Sequence, residues 1–408
     1  MEKSKTPTVK HSALIELVIY LLFWLGPLTG NVILVLFRVL SAEFSVLEND
    51  ILIAIPTFMF PFAFIQLFSG AISDMKGRFS VIMFGLIIFG CGTIIAIFSS
   101  SLISYAIANI LGGIGFGFVN PVLIALMTDI TPEANVSKKI GLLVAIANLG
   151  VGLGPIIAGQ IVIISWRYLY IIFIIITVIA FGFLYVLRQP TTIKSQSKSI
   201  GVFFKQLSHE LHRFVVILMI LSAFLASQTY LAAITWTSRT FSGVIPENLS
   251  GIIIGFAGIF GAISSVVIGF LIKRYGILSA ILIGISSLFI ALVLLLSLGD
   301  ITRMEVLIFD AIAYMLLGTS GGTLISTVMY YSQILSKGSR GTLAGLATFG
   351  QFIGNALVPI TYDYLFYSGG VQAVYYTVLI VSFLLVGILG LLYRLSKYKN
   401  SQEKNYIN

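Results

Sequence analysis

Side chains able to carry charge or bind a ligand are scarce in this sequence, and the few that interrupt apolar runs define what chemistry it can perform. Asp310 stands in VLIFDAIAYMLLG, about two turns from the nearest polar segment. A carboxylate at that depth in a bilayer is costly unless it is protonated, paired or wetted. Asp310 is therefore the candidate for carrying a proton in step with a bound molecule, and the alternative is a structural ion pair with Arg38 or Arg303. Glu16 lies about one turn inside the first apolar run, close enough to the surface to be hydrated. Asn109, ahead of Gly112, Gly113 and Gly115, offers an amide but no charge. His11, His209 and His212 lie in polar segments, and the single cysteine, Cys91, lies in an apolar run. Nothing has the spacing of a metal site or a disulfide framework, and no cluster of His, Asp and Glu stands at one depth as a hydrolytic membrane enzyme requires. No catalytic residue, metal or cofactor is expected.

The elements that position these residues follow from composition. Of 408 residues, 58% are hydrophobic and 10% charged, with mean hydropathy +1.06. Soluble domains carry about 25% charged residues, so this is a polytopic membrane protein. Apolar runs fall at 13–38, 51–72, 79–98, 102–128, 139–164, 167–187, 213–238, 249–272, 277–298, 304–331, 341–366 and 371–393. Each reaches the roughly 20 residues of a membrane helix. The first run is too long for a signal peptide's apolar core and lacks a small-residue cleavage pattern, so it is expected to be retained. Alternating the loops puts twenty Lys and Arg on one side and only Arg38, Arg167, Arg239 and Arg303 on the other. By the positive-inside rule both termini are cytoplasmic. The same bias accounts for the net charge of +9 without nucleic acid. The polar stretch 188–212 separates an N-terminal half, 1–187, from a C-terminal half and tail, 213–408. Its end, VFFKQLSHELHRF, sets Phe203, Leu207 and Leu211 on one helical face and reads as a short helix lying on the membrane surface.

The halves repeat. GAISDMKGRF (70–79) recurs as GFLIKRYGIL (269–278), offset by 199, and Gly141, Gly150 and Gly154 recur as Gly341, Gly350 and Gly354, offset by 200. An internal six-helix repeat is a transporter architecture with its site near the midplane. Asp74 closes its helix where the macrodipole disfavours a carboxylate. It therefore needs a partner, either Arg78 or an adjacent helix N-terminus, and Gly77 permits the turn between them. Gly150 and Gly154 share one face that admits a neighbouring backbone, and Pro155 bends that helix. Gly251, Gly255, Gly258 and Ala262 offer a matching face in the eighth span. Gly26, Pro27 and Gly30 predict a break midway along the first.

Gly70, Asp74, Gly77 and Arg78 resemble the loop signature of the major facilitator superfamily, Gly-x-Leu-x-Asp-Arg-x-Gly-Arg-Arg, from which Ile72 and Phe79 depart. The resemblance extends over the whole chain, through the twelve spans, the central segment and the repeat. It implies an all-α integral membrane fold of twelve helices in two pseudo-symmetric six-helix halves. The loop signature would latch the halves on the cytoplasmic side in the outward-facing state, asymmetrically, since Lys273 replaces the aspartate in the second copy. Gly150, Gly154, Pro155 and Gly159 resemble the antiporter signature of the drug:proton exporters, with Ala158-Gly159 in place of paired glycines. Ser165-Trp166-Arg167-Tyr168 resembles the exit of that helix in the same branch. Asn109 stands where those exporters carry an arginine, so proton coupling must use another residue. The family's cavity is lined by helices one, four, seven and ten, which makes Trp24, Asn31, Arg38, Tyr105, Asn109, Gln228, Tyr230 and Tyr314 the substrate candidates. The resemblance implies a monomeric, cofactor-free transporter of the cytoplasmic membrane that works by alternating access. Its partners would be the lipid bilayer, a small-molecule substrate and protons, with export of hydrophobic or amphipathic compounds. The alternative is uptake of a small metabolite or anion, with Arg38 as its contact.

Overall fold

Lipid offers no hydrogen-bond partners, so apolar segments must satisfy their backbones internally as helices. The computed structural model describes residues 12–188, 200–298, 306–336 and 340–405. The first half holds α1 (Ser12–Asn31), α2 (Phe37–Phe44), α3 (Ala54–Lys76), α4 (Arg78–Ile97), α5 (Leu102–Ile130), α6 (Glu133–Ile161) and α7 (Arg167–Leu187). After α8 (Ile200–Leu211) come α9 (Phe214–Phe241), α10 (Glu247–Tyr275), α11 (Ile277–Leu298), α12 (Leu307–Ile334) and α13 (Arg340–Asn405). Eleven stretches among the described residues are long and apolar enough to cross a membrane. The last, Arg340–Lys397, is 58 residues long, about twice what one crossing needs. It is broken by the non-helical Gly369 and Gly370, where the sequence places the turn between its last two spans. Residues 189–199 of the central segment, and Arg303, lie outside the described residues.

The repeat is visible in the backbone. Gly77 ends α3 with φ 91° and Gly276 ends α10 with φ 83°. Each donates its N–H over 2.9 Å to the carbonyl four residues back, Ser73 and Ile272 respectively. Both turns need a positive φ, which glycine adopts without strain. The first span differs from expectation. Its helix passes through Pro27, ends at Asn31 and continues as a 3-10 turn, Val32–Val35, before α2. The Asn31 amide donates to the Pro27 carbonyl at 2.7 Å. That competes with the backbone bond four residues back and ends the helix one turn later than proline alone would.

Within the first half α5 packs on α3 and α4, and α6 on α1; within the second α9 packs on α13, and α12 on α10 and α11. The halves meet through α6 with α10 and α3 with α13. One membrane face, the basic face, carries Lys76–Arg78, Lys138–Lys139 and Lys273–Arg274, and the far face carries residues 45–49 and 242–246. The short α8 packs near α3, α9 and α13, leaving His209 and His212 exposed. Arg213 pairs with the buried Glu210 and donates to the Leu335 carbonyl at 2.9 Å.

Candidate functional site

The two halves are pressed together on the far face and apart on the basic one. A Cβ at Gly152 of α6 would stand 2.7 Å from the Gly255 carbonyl oxygen of α10, and one at Gly255 would stand 2.8 Å from that of Gly152. Nearer the far face, Gly159 abuts the Glu247 carbonyl and Gly251 that of Pro155. Such approaches leave no room for any side chain. Across the other seam Phe62 meets Phe352 with centroids 4.5 Å apart, and Phe64 meets Phe349 at 5.4 Å. Toward the basic face a Cβ at Gly141, Gly269, Gly341 or Gly345 would touch nothing within 4 Å among the described residues. Exposure follows the same gradient: Tyr20 and Trp24 on α1, and Ile217, Leu221 and Phe224 on α9, are at least partly exposed, whereas residues 32–37 and 231–238 are buried. A wedge-shaped gap therefore opens between the halves on the basic face.

The far-face closure has a polar clasp. Arg239, at the end of α9, pairs with Glu48 and donates from Nε to Asn49 Oδ1 at 2.8 Å. Asn49 in turn donates to Asp363 of α13 at 3.0 Å. One guanidinium thus ties the first loop to two helices of the other half. The sequence alone marks Arg239 only as a rare basic residue on its side. The usable signal is that rarity, together with an acid in the first far loop. Nearby, Arg167 donates to Glu43 at 2.7 Å and to the Ile97 and Ser99 carbonyls at 3.0 and 3.1 Å. The Arg167 guanidinium holds the Glu43 carboxyl below its ordinary value.

The sequence candidates distribute unevenly around the gap. Trp24 is half-buried and its backbone lies against Gly150. Tyr230 packs on Gly321, and Gln228, 4% exposed, leaves Oε1 without a partner among the described residues. Gln66, Asn120 and Asn355 also carry a buried amide atom without a partner among those residues; Gln66 and Asn355 escape a reading of helices one, four, seven and ten because they sit on α3 and α13. Asn31 is occupied with its own helix. Other candidates turn into their own half. Tyr105 is buried with its hydroxyl 2.6 Å from that of Tyr170. Asn109 donates to the Tyr105 carbonyl at 2.8 Å and lines a small, partly open cavity of about 20 Å³ with Thr29 and Tyr170. The Tyr314 hydroxyl lies 2.9 Å from Ser238 Oγ and donates to the Ile234 carbonyl at 3.1 Å. Arg38 is exposed in an open far-face groove of about 550 Å³ beside Glu43 and Glu247. Asp310 is fully buried, and neither carboxyl oxygen has a partner among the described residues. Among those residues no three His, Cys, Asp or Glu gather as a metal site.

Residues 19–359 match the Major Facilitator Superfamily. The chain belongs to that superfamily. That superfamily is one of multi-pass membrane transporters, not of enzymes. Among superfamily relatives, the quinolone resistance protein NorA of Staphylococcus aureus is 29% identical over 119 residues, 29% of this chain and 31% of its own. An uncharacterized MFS-type transporter of Methanocaldococcus jannaschii is 31% identical over 90 residues, 22% of this chain and 23% of its own. The chain thus matches a third or less of the length of these relatives. Two solved superfamily structures share the fold. A point mutant of the nucleoside transporter NupG superposes with TM-score 0.68 at 14% identity, over 93% of this chain and 99% of its own. A bacterial homologue of the human lysosomal transporter Spinster, inward-facing and unoccupied, superposes with TM-score 0.69 at 16% identity, over 97% and 98%.

The superfamily's loop signature has its own partners here. Arg78 pairs with Asp74 at 2.5 Å and with Asp129 of α5 at 3.0 Å, and donates to Ser73 Oγ at 2.5 Å. All four residues belong to the first half, and Asp74 is 54% exposed. The antiporter-signature glycines divide between two neighbours. A Cβ at Gly150 or Gly154 would stand 2.5 or 2.7 Å from the Trp24 or Leu28 carbonyl of α1, whereas Gly159 faces α10. Gly350 and Gly354 repeat this against Ile220 and Phe224 of α9, at 2.7 and 2.6 Å.

Proposed function

We propose that the chain exports hydrophobic or amphipathic small molecules in exchange for protons. In this reading it sits as a monomer in the cell membrane, with its basic face and both termini in the cytoplasm. Residues 1–187 and 213–408 act as halves that rock about the gap, joined by residues 188–212. The observation that carries the reading is Asp310. Ionised in its buried place, with no partner among the described residues, it would be uncompensated, a state that costs several kcal/mol or more in a low-dielectric interior. A group that is neutral in one conformation and wetted in the other is what proton exchange requires. The gap's aromatic side chains, and the buried amides that lack a partner among the described residues, suit weakly polar compounds, and the partial likeness to a quinolone resistance protein agrees. The latch of Gly70, Asp74, Gly77 and Arg78 would bind the second half only when the basic face closes.

The test uses the purified chain in liposomes holding a pH-sensitive dye, under an imposed pH gradient. Amphipathic drugs should release a proton flux that Asp310→Asn reduces at least about a hundredfold, the scale of losing an obligatory proton carrier. Uptake of a labelled metabolite with no drug-dependent proton movement would overturn the reading.

A further inference from the structure

We infer that Glu16, Tyr20 and the edge of Trp24 form a seat for a lipophilic organic monocation, and that in this conformation the protein's own Lys139 occupies it. The inference rests on the export reading and names a substrate class for that gap. Positions 16, 20 and 24 follow one another at helical spacing and form a single stripe on α1. All three are half-exposed where the gap opens, while Ile15, Ile19, Leu22 and Phe23 are buried in their own half. The Tyr20 hydroxyl donates to Glu16 Oε1 at 2.5 Å. The Lys139 ammonium, from α6, sits on the same oxygen and lies 5.9 Å from the centroid of the Tyr20 ring. An ammonium held by a carboxylate against an aromatic face is the recognition chemistry of organic cations. The lysine already there shows that a cationic group fits between this carboxylate and this ring.

Two features distinguish a ligand seat from a brace between helices. Glu16 Oε2 has no partner among the described residues, so the carboxylate keeps an open acceptor. The α1–α6 contact is already fixed elsewhere, by Gly150 and Gly154 against the α1 backbone. Lys139 is 32% and Glu16 23% exposed, so the lysine can swing to water beside Lys138 while an incoming cation replaces it. Exchanging one monocation for another leaves the seat neutral. Neutral compounds gain nothing from displacing the lysine, and anions lose.

The experiment measures equilibrium binding of ethidium and of the neutral dye Nile red to the purified full-length chain. Lys139→Met removes a tethered competitor and should tighten ethidium binding by about tenfold, as for a site some nine-tenths self-occupied. Glu16→Gln should weaken it by about tenfold, the scale of one desolvated cation contact. Nile red should bind both variants as it binds the parent. A gain of affinity in Lys139→Met cannot come from misfolding. Ethidium binding that ignores Glu16→Gln, weakens in Lys139→Met, or changes in step with Nile red would overturn the seat. Binding is read without a gradient, so its failure leaves the proton-exchange reading standing. Absence of drug-driven proton flux would sink that reading and leave the seat intact.

Discussion

Asp310 and Glu43 are carboxylates near the same membrane face, and their neighbours give them opposite chemistry. Asp310 has no partner among the described residues. Glu43 accepts from Arg167, whose guanidinium also lies 4.5 Å from the Trp166 ring centroid and holds two carbonyls of residues 97 and 99. Because Arg167 holds the Glu43 carboxyl below its ordinary value, the folded state binds that proton more weakly than the unfolded one. The pair's contribution is therefore complete above the ordinary carboxylate pKa, about 4, and is lost as pH falls through the lowered folded value. At neutral pH Glu43→Gln should cost less than about 1 kcal/mol, because the pair is about one-third exposed and screened. Thermal unfolding of parent and variant should differ at pH 7 and converge on acidification below about 4; a gap that persists in acid would assign the loss to packing. Asp310 is legible in the sequence because an acid in an apolar run is rare. The cavity roles expected of Tyr105, Asn109 and Tyr314 are harder to read. Helix spacing says which residues share a face, not which way that face is turned, and all three bond within their own half.

At the level of elements, the α6–α10 seam shows where glycine spacing is informative and where it stops. Gly150 and Gly154 are four apart and share a face, but Gly152 lies about 200° round the helix from Gly150. The sequence shows that α6 has small residues on several faces; only the neighbours decide that one face receives α1 and another α10. Gly152, passed over in the sequence, is the residue in closest reciprocal approach with α10. Gly152→Val would drive a branched side chain into the Gly255 carbonyl, an obstruction of backbone that no rotamer relieves. It should destabilise the protein by about 1–3 kcal/mol and abolish transport. Gly141→Ala, whose Cβ would meet nothing within 4 Å, should be neutral or stabilising, since alanine is the better helix former. Melting temperatures of the two variants settle the matter: an equal loss would mean that the seam is looser than its geometry.

Across the whole molecule, the twofold repeat and the membrane class are written in composition and offset, but the direction in which the gap opens is not. If the halves rock as proposed, one sequence encodes both closures, and only the conformation shows which clasp is engaged. Here the far clasp of Arg239, Glu48, Asn49 and Asp363 is made across the halves, while Arg78 is satisfied inside the first half by Asp74 and Asp129. The two closures compete, because rocking one face shut separates the other. Removing the only cation in the far clasp should therefore shift the population toward a far-open state. The clasp is partly buried, so Arg239→Gln should move the balance by about 1–3 kcal/mol, or roughly five- to 150-fold. Spin labels on cysteines placed at Ala42 and Glu247 would report it. These two positions border the far-face groove from opposite halves, and the exposed native Cys91 would first be changed to serine. The parent should give one short distance, Arg239→Gln a second, longer population, and Arg239→Lys an intermediate mixture, since lysine keeps the charge but not the fork that reaches Glu48 and Asn49 together. An unchanged single distance in Arg239→Gln would show that the packed glycine seam, and not the clasp, holds the far face shut.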